Sequence, residues 1–519
     1  MAQEQTPYDA IPYSSHPFAQ SHPDRLASIA KLFGLDAPAV DNCRVLELGC
    51  SMGGNLIAMA QKHLGADFIG IDASSRQIAE GWKVVDALHL KNVALKHLDI
   101  LDVSDSLGKF DYIVSHGVYS WVPPAVQNKM LDLCKRHLAA NGVAYISYNT
   151  YPGWHVRGIV RDMMLYRSMQ FSDPATRLAQ AKLLVEFVAK SSPGADDPYR
   201  KLLQGELDVL IRSDDYYLHH DHLEENNHPV YFHEFARRLG VNGLQYLGEA
   251  DFSTMVSTNF APDIAKTLHD LGAHDILQME QYMDFVRCRY FRQTLICHSA
   301  VRLNRQLTPA LVKNLLLASQ AAPDTHAASA EASDLQTFRT PGGRGITCRS
   351  PVTKNALRTL QQQWPASVPF QELLSLCKST GATDDEFLAN EMLACMAAGV
   401  VEWRLSPDPF TTKVTRKPAT TPSARLQASQ GNRVTNLRDI TVTLDDIHRS
   451  VLRHLEGKQN RKQLADTLIK FLAEGGHELR RESDNTPVTD PAEMRNLLDT
   501  ALDKVLQNLA AKALLLRDQ

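Results

Sequence analysis

The stretch from residue 44 to residue 55 most constrains how this chain can fold. Its first residues, Arg-Val-Leu-Glu-Leu, have strand character, and they run into a turn with Gly49, Gly53 and Gly54 that opens a predicted helix. A second predicted strand, residues 67–72, ends in Asp72. That carboxylate stands roughly 20 residues past the glycines, which is the spacing of a nucleotide-type site with a ribose-binding acid.

The turn itself separates two kinds of cofactor. A dinucleotide carries a pyrophosphate and favours glycine at three positions of the turn, but the middle position here is Ser51. The alternative frame, with Glu47, Gly49 and Gly53, suits S-adenosylmethionine, which brings an amino-acid end and a sulfonium in place of phosphates. Backbone N–H groups at the helix start can hold the carboxylate of that end, while Glu47 faces its cationic groups. We therefore predict S-adenosylmethionine as the cofactor and disfavour a nicotinamide.

Three further predicted strands extend the pattern. Residues 93–100 deliver Asp99 and Ile100, an acid and an apolar residue suited to the amino group and the ring of adenine. Residues 110–114 form a fourth strand that leads into Ser115 and His116, and residues 142–148 form a fifth. Strands alternating with helical stretches predict an α/β, Rossmann-like, doubly wound parallel sheet with its ligand across the carboxyl ends of the strands.

The composition narrows the class of protein. The chain has 519 residues, a net charge of −4 and eight scattered cysteines with no C-x-x-C pair. Its length predicts three or more domains. A near-neutral charge argues against a protein that coats nucleic acid or an anionic membrane, because either task needs a basic excess. With no signal peptide and no long apolar run, we expect a cytoplasmic chain with reduced thiols and no membrane insertion.

The first residues, up to Pro23, form a leader rich in proline and aromatic residues, Tyr13 and Phe18 among them. Proline prevents a helix here, so the leader is expected to lie extended on a surface. Two interpretations stay open: a lid over the cofactor, or a segment packed for stability alone.

The middle of the chain, residues 156–298, is predicted to be almost wholly helical and to have no sheet of its own. A histidine-rich stretch interrupts it at residues 214–222, but no cysteine joins the histidines, so a metal site is disfavoured and a polar wall over the active site, or surface histidines, is favoured. Residues 284–292 are predicted to be helical, with Arg287, Arg289 and Arg292 on solvated faces.

The last part of the chain repeats one order of elements. Residues 318–333, rich in alanine and serine, are predicted to be a linker. Three helical stretches closed by a strand then occur over residues 351–405 and again over residues 444–517, with a connector at residues 411–436. The order suggests winged-helix-like units. Because their last helices are acidic or mixed in charge, we expect protein contacts rather than DNA.

Methyl transfer from a sulfonium requires an acceptor with a lone pair, held in line and stripped of water. The acceptor is expected at the loops that follow the fourth and fifth strands, where aromatic residues suit a lysine stem and its cationic head. The candidate catalytic residues are His116, Tyr119, Tyr148 and Tyr151, and the candidate substrate-binding residues are Trp121, Asn149, Trp154, Tyr217 and His220. The Asn-Pro-Pro-aromatic pattern typical of nucleobase methylation is missing after the fourth strand, so nucleobase methylation is disfavoured.

Several motifs together resemble one family. Five motifs carry the resemblance: His-Pro-Phe at residues 16–18, Glu-Leu-Gly-Cys at 47–50, Ser-His-Gly-Val-Tyr-Ser-Trp-Val at 115–122, Tyr-Asn-Thr-Tyr-Pro-Gly-Trp at 148–154 and Tyr-Tyr-Leu-His-His at 216–220. With them the chain resembles bacterial class I methyltransferases that have a methyltransferase regulatory domain. That family includes protein-lysine methyltransferases that modify outer-membrane proteins. The resemblance implies S-adenosylmethionine binding, with the regulatory domain lying over the catalytic one.

The resemblance and the motifs together give the predicted site and partners. The candidate cofactor-binding residues are Tyr13, Glu47, Gly49, Cys50, Gly53, Asn55, Asp72, Ala73, Asp99, Ile100, Ser115 and His116. The expected partners are a protein substrate, with an outer-membrane protein before export as the candidate, and a second copy of the chain in a homodimer.

The predicted domains follow the same division. They are an arm and helix over the cofactor site (1–34), the S-adenosylmethionine-binding domain (35–155), the helical regulatory domain (156–317), a linker with the first winged-helix-like unit (318–410), and a connector with the second unit (411–519).

Three functions are weighed. The first is a methyltransferase that acts on lysine side chains of a protein, the second a small-molecule O- or N-methyltransferase, and the third a protein that binds the cofactor as a regulator or scaffold without turnover. Some 350 residues lie outside the core sheet, and a protein modifier uses such length to grip an extended substrate, which favours the first function.

Overall fold

The structure, a computed structural model, describes residues 15–191, 197–212, 215–272, 275–324, 335–378, 384–474, 486, 488 and 490–517. Within these residues, no helix is long and apolar enough to cross a bilayer.

A seven-stranded sheet forms the centre of the chain, and it confirms the predicted doubly wound fold. Its strands follow the order β3-β2-β1-β4-β5-β7-β6, and only β7 runs antiparallel to its neighbours. The strands are Arg44–Leu48 (β1), Asp67–Asp72 (β2), Val93–His97 (β3), Phe110–Ser115 (β4), Leu138–Asn149 (β5), Leu244–Glu249 (β6) and Phe291–His298 (β7).

Both faces of this sheet are covered, which explains why its central strands read as continuous apolar runs. Successive residues of β1 and β4 belong to two different apolar clusters: Val45 and Tyr112 pack on one face, and Leu46 and Ile113 on the other. The flanking helices of this part are Pro23–Leu32 (α1), Gly54–Ala60 (α2), Ser75–Ala87 (α3) and Pro124–His137 (α4). Helix α1 packs on the first face and α4 on the second.

The prediction that residues 156–298 have no sheet of their own is wrong, because β6 and β7 from this segment pair with β5 and with each other. A strand that is buried on both faces lacks the alternating pattern by which sequence reasoning recognises strands. The helices of the segment are Gly153–Ser168 (α5), Pro174–Ser191 (α6), Pro198–Arg212 (α7), Asp215–Leu223 (α8), Phe232–Val241 (α9), Pro262–Gly272 (α10) and Ile276–Arg287 (α11).

The predicted helix over residues 284–292 is also wrong. Helix α11 ends at Arg287, where Cys288 adopts a left-handed conformation, and Arg292 lies in β7. The side chain of Arg292 is fully buried rather than solvated, and it forms ion pairs with Asp284, Glu280 and Glu249 at 2.8, 3.0 and 2.7 Å.

Two groups of elements follow, each with the helices of the repeated order, and the first shares an apolar core with the central sheet through Leu357 and Phe370. The first contains the strands Leu316–Ala318 (β8), Ala322–Pro323 (β9), Gln336–Arg339 (β10), Gly345–Cys348 (β11), Val368–Pro369 (β12) and Glu402–Arg404 (β13), and the helices Pro351–Gln363 (α12), Phe370–Lys378 (α13) and Asp385–Ala397 (α14). The start of the predicted linker is therefore structured, since β8 pairs with β12 and β13; residues 325–333 lie outside the described residues.

The second unit contains the helices Pro422–Gln430 (α15), Asp446–Leu452 (α16), Arg461–Glu474 (α17) and Pro491–Ala511 (α18), and the hairpin Arg433–Thr435 (β14) with Thr441–Thr443 (β15). The predicted connector at residues 411–436 is part of this fold, because Ala424 and Ala428 of α15 pack in its core. The predicted closing strand is reduced to a single bridge between Leu516 and Phe410.

Candidate active site

A cavity of about 600 Å³ opens at the carboxyl ends of the central strands. It lies where the strand order reverses, between β1 and β4, which is the position at which open α/β sheets bind their ligands. Its walls come from the N-terminal arm, the turn after β1, the ends of β2 and β3, the loops after β4 and β5, and the segments α5, α8 and the start of β7.

The turn after β1 has a backbone that needs glycine. Gly49 and Gly53 both have φ of +74°. A Cβ at Gly49 would lie 2.4 Å from Val118 Cγ2, and one at Gly53 would lie 2.8 Å from Leu95 Cδ2. Ser51 also has a positive φ of 53°, and its side chain donates a hydrogen bond to Gln77. The turn is therefore held in one shape that exposes backbone to the cavity.

Two carboxylates stand at the ends of the next strands. Both oxygens of Asp72 accept backbone hydrogen bonds of 2.8 Å, Oδ2 from Ser51 and Oδ1 from Ser74. Asp99 accepts one of 2.8 Å from Leu101, which fixes the short 3-10 turn where Ile100 lies. Asp72, Asp99 and Ile100 all line the cavity. An oriented carboxylate at the end of β2 is suited to a pair of ribose hydroxyls.

Glu47 is a buried carboxyl at the end of β1. Its Oε1 accepts a hydrogen bond of 2.9 Å from Asn55 Nδ2, whereas its Oε2 has no hydrogen-bond partner among the described residues. Burial raises the pKa of Glu47 to about 8, and the nearby Asp72 adds to the effect. A cation placed beside Oε2 would favour the ionised form. This orphaned oxygen therefore fits a ligand with an ammonium group, as S-adenosylmethionine has.

The N-terminal arm forms one wall of the cavity through Ser15, His16, Phe18 and Gln20. Ser15 Oγ accepts a hydrogen bond of 2.7 Å from the backbone of Gly54, and the backbone of Phe18 donates one of 2.9 Å to Asn55 Oδ1. Asn55 thus joins the arm to Glu47. Tyr13, which we predicted to be at the cofactor, lies outside the described residues.

His116 follows β4 and lies beneath the arm. Its ring centroid is 3.9 Å from that of Phe18, and its Nδ1 is 2.8 Å from the hydroxyl of Tyr145. Burial lowers the pKa of His116 to about 4. The imidazole is therefore neutral at neutral pH and carries no charge that would repel a cationic ligand.

A further wall of the cavity is aromatic and polar. It contains Trp121 from the loop after β4 and Asn149 from the end of β5, together with residues of the middle segment: Arg157, His220, Asp221, Tyr290 and Phe291. The guanidinium of Arg157 lies 4.0 Å from the ring centroid of Tyr290 and 5.7 Å from that of Trp154. Asn149 is buried, and its Nδ2 donates to Asn227 at 3.3 Å.

Two predicted catalytic residues are corrected by the structure. Tyr119 and Tyr148 are almost fully buried and pack against Phe235, with ring centroids 5.3 and 4.2 Å away, and neither lines the cavity. The hydroxyl of Tyr119 accepts a hydrogen bond of 3.2 Å from Arg238. Burial raises the pKa of both phenols. Both side chains therefore belong to the apolar core that contains Phe235.

The remaining predictions fall into three groups. Those that line the cavity are Glu47, Gly49, Cys50, Asn55, Asp72, Ala73, Asp99, Ile100, His116, Trp121, Asn149 and His220. Tyr151 and Trp154 do not line it: Tyr151 stacks on His155 at 4.0 Å, and Trp154 packs edge-on against Trp121 at 6.0 Å. Gly53 and Ser115 do not line it either: Gly53 caps the start of α2, and Ser115 Oγ donates a hydrogen bond of 3.3 Å to the carbonyl of Leu48. The side chain of Tyr217 lies outside the described residues.

Sequence reasoning missed the middle-segment residues of the cavity, namely Arg157, Asp221, Tyr290, Phe291 and Gln293. The last three belong to β7 or directly precede it, and the sequence pattern there predicts a helix instead of this strand. Among the described residues, no group of three or more histidine, cysteine, aspartate or glutamate side chains is placed to hold a metal ion.

Three family models match the chain. Residues 45–142 match a methyltransferase domain, residues 214–298 a predicted methyltransferase regulatory domain, and residues 416–514 the C-terminal winged helix domain of PKMT.

Full-length relatives extend these matches. The chain is 36% identical to an uncharacterized protein of Rickettsia prowazekii (strain Madrid E), over 99% of this chain and 94% of the relative. The structure of PKMT2 from Rickettsia typhi in complex with AdoHcy is 30% identical, with a TM-score of 0.85 over 97% of this chain and 100% of that one. A second structure of PKMT2 is 29% identical over the same shares, also with a TM-score of 0.85.

Proposed function

We propose that this chain, which belongs to the family of class I S-adenosylmethionine-dependent methyltransferases that includes PKMT2 of Rickettsia typhi, methylates lysine side chains of a protein. The observation that carries the proposal is the likeness to PKMT2 in its AdoHcy complex over almost the whole of both chains. AdoHcy is what S-adenosylmethionine becomes when its methyl group has been transferred.

The cavity supports a specific placement of the cofactor. Asp72 would bind the ribose hydroxyls, Asp99 and Ile100 would contact the adenine, and the turn of Gly49 would offer backbone to the carboxylate of the methionyl end. Glu47 would pair with the ammonium, since its Oε2 has no hydrogen-bond partner among the described residues. When bound, the cofactor supplies an electrophilic methyl group on a sulfonium.

The chain's own residues position the acceptor and exclude water. Phe18 and His116 close the cavity from the arm side, and both contribute apolar surface rather than charge. Trp121 and Phe291 flank the opposite wall, where they suit the aliphatic stem of a lysine. Positioning and desolvation of this kind are the main needs of an in-line methyl transfer.

We propose that the enzyme acts in the cytosol, where all eight of its cysteines, which are free thiols, would stay reduced. An outer-membrane protein before export is the proposed substrate.

We also propose a homodimer. Leu183 and Phe187 stand one turn apart on α6 and are 55% and 65% exposed, and Tyr166 near the end of α5 is 68% exposed. Light scattering of the wild type and of Phe187→Glu tests this: a dimer that becomes a monomer is expected, and a monomeric wild type contradicts it.

The activity is tested by supplying radiolabelled S-adenosylmethionine and bacterial lysate. Label is expected in protein, at methylated lysines found by mass spectrometry, and it should be lost when the lysate lysines are acetylated beforehand. Asp72→Ala should abolish transfer, whereas Asp67→Ala at the exposed start of the same strand should not. Label confined to small molecules, or unaffected by acetylation, would contradict the proposal.

A further inference from the structure

The charged residues that line the cavity come from two parts of the chain, the first strands of the sheet and the middle segment. Among the described lining residues there are four carboxylates and one arginine: Glu47, Asp72, Asp99 and Asp221, with Arg157. The first three follow β1, β2 and β3 and belong to the cofactor side. Asp221 differs from them, because it comes from α8 of the middle segment and lies in the wall with Trp121 and Phe291.

Two of the aromatic rings near this wall are not open to a second cation. The face of Tyr290 is already covered by Arg157 at 4.0 Å, and Trp154 is buried and does not line the cavity. Arg157 is itself a cation, and it would repel a second cation that entered without a compensating carboxylate. A lysine ammonium brought here therefore needs a negative group within the same wall.

The neighbouring histidines do not supply that group. His116 is neutral, since burial lowers its pKa to about 4, and its Nδ1 already contacts the hydroxyl of Tyr145. His220 also lines the cavity, but an imidazole carries no negative charge in either protonation state.

We propose that Asp221 is the residue that binds the ammonium of the substrate lysine and removes its proton. This inference rests on the proposed function and names the acceptor side of the same site. The proton passes from the lysine Nζ to an oxygen of Asp221, directly or through a water, and then to solvent. The nitrogen keeps the electron pair of that N–H bond and uses it to bond the methyl carbon of S-adenosylmethionine, while the pair of the broken carbon–sulfur bond stays on the sulfur.

The experiment compares substitutions at this one position. Asp221→Asn keeps the shape and removes the charge, Asp221→Glu keeps the charge, and Asp221→Lys inverts it; Glu225→Gln, at an exposed carboxylate just after α8, is the matched control. Each variant is assayed for methyl transfer to lysines of the lysate protein. Affinity for S-adenosylhomocysteine is measured by calorimetry and stability by thermal unfolding.

We expect the initial rate of methyl transfer, at a fixed amount of lysate protein, to fall about 10- to 100-fold in Asp221→Asn, which is the range for the loss of a charge-assisted hydrogen bond. Asp221→Glu should recover part of the rate, Asp221→Lys should be slower than Asp221→Asn, and the control should match the wild type. S-adenosylhomocysteine affinity and thermal stability should stay unchanged, which separates a role at the acceptor from a structural one.

Two outcomes overturn the inference alone. In one, Asp221→Asn transfers methyl groups to lysine at the wild-type rate; in the other, the loss of rate is matched by a loss of S-adenosylhomocysteine affinity. If the wild type itself transfers no methyl group to lysine, the proposed function fails instead.

Discussion

At the scale of single residues, Glu47 is expected to release a proton when the cofactor binds. Burial raises its pKa to about 8, so the carboxyl is mostly protonated at pH 7 in the free protein. An ammonium beside Oε2 stabilises the ionised form, and the proton then leaves to the buffer. Calorimetry at pH 7 in two buffers with different ionisation enthalpies measures this release, and affinity for S-adenosylmethionine should rise with pH between about 6 and 8.

The variant Glu47→Gln is the control for that prediction, because the amide keeps the hydrogen bond with Asn55 but has no proton to release. It should bind the cofactor more weakly and with the same heat in both buffers. The free wild-type protein should also lose stability as pH rises from about 4.5 to about 8, because the unfolded carboxyl ionises first, and Glu47→Gln should remove that loss. Proton release that persists in the variant would contradict the assignment.

The spacing of acids and glycines predicts which residues of the first strands line the cavity. Glu47, Gly49 and Asp72 follow from a strand that ends in a fixed turn, and all three line it. The burial of Tyr119 and Tyr148 is not predictable in this way: successive side chains of a strand such as the one with Tyr148 point to opposite faces, and Tyr119 lies in a 3-10 turn, so nearness in sequence to a loop does not decide what a side chain packs against.

At the scale of elements, the stability of the sheet is best tested at β7, because its Arg292 is the centre of a buried cluster of ion pairs. Arg292 binds Asp284 through two hydrogen bonds of 2.8 Å, and it also pairs with Glu249 and Glu280. Arg292→Met should lower the free energy of unfolding by about 3–5 kcal/mol, because it removes the nearest cation from three buried carboxylates and leaves Asp284 and Glu280 only the longer contacts with Arg289, at 3.4 and 3.9 Å. Denaturant unfolding measures the change.

Arg237→Met provides the comparison for Arg292, because Arg237 is exposed on α9 and its loss should change stability by less than about 0.5 kcal/mol. Equal losses of stability in the two variants would show that the ion pairs of Arg292 do not stabilise the fold. A cluster of this kind is invisible in sequence, since its members come from β6, α11 and β7, and an arginine in a short apolar run suggests a solvated helix. That is why the two added strands of the sheet were not predicted.

At the scale of the whole molecule, the order of units was predictable but their contacts were not. The repeat predicts the helices of both C-terminal units, but in the second unit the closing strand is a single bridge and the predicted connector packs in the core. Nothing in the sequence indicates that the second unit contacts the first domain. In the structure, the backbone of Ser423 donates a hydrogen bond of 2.9 Å to Gln61, and Lys62 Nζ lies 2.5 and 2.6 Å from the two carboxylate oxygens of Asp439.

The pair of Lys62 and Asp439 is expected to hold the second C-terminal unit against the first domain. Their side chains are only 4% and 6% exposed, and burial lowers the pKa of Lys62 while Asp439 opposes that shift. Lys62→Met leaves a buried carboxylate alone, so we expect a loss of about 3–5 kcal/mol of stability and faster proteolysis at residues 411–421. Lys83→Met, which breaks the exposed pair with Glu80, should cost less than about 1 kcal/mol.

The same substitution should reach the cofactor site. His22, at the start of α1, lies 3.9 Å from Asp439, and the residue before it, Ser21, accepts a hydrogen bond of 3.1 Å from Asn55, which also binds Glu47. When the second unit is held less firmly, the N-terminal arm should also be held less firmly. Lys62→Met should therefore bind S-adenosylmethionine more weakly than the wild type, as measured by calorimetry. The double variant Lys62→Met with Asp439→Asn should lose less stability than the sum of the single variants, because it no longer leaves one charge buried. Additive losses with unchanged cofactor affinity would mean that the two ends of the chain are uncoupled.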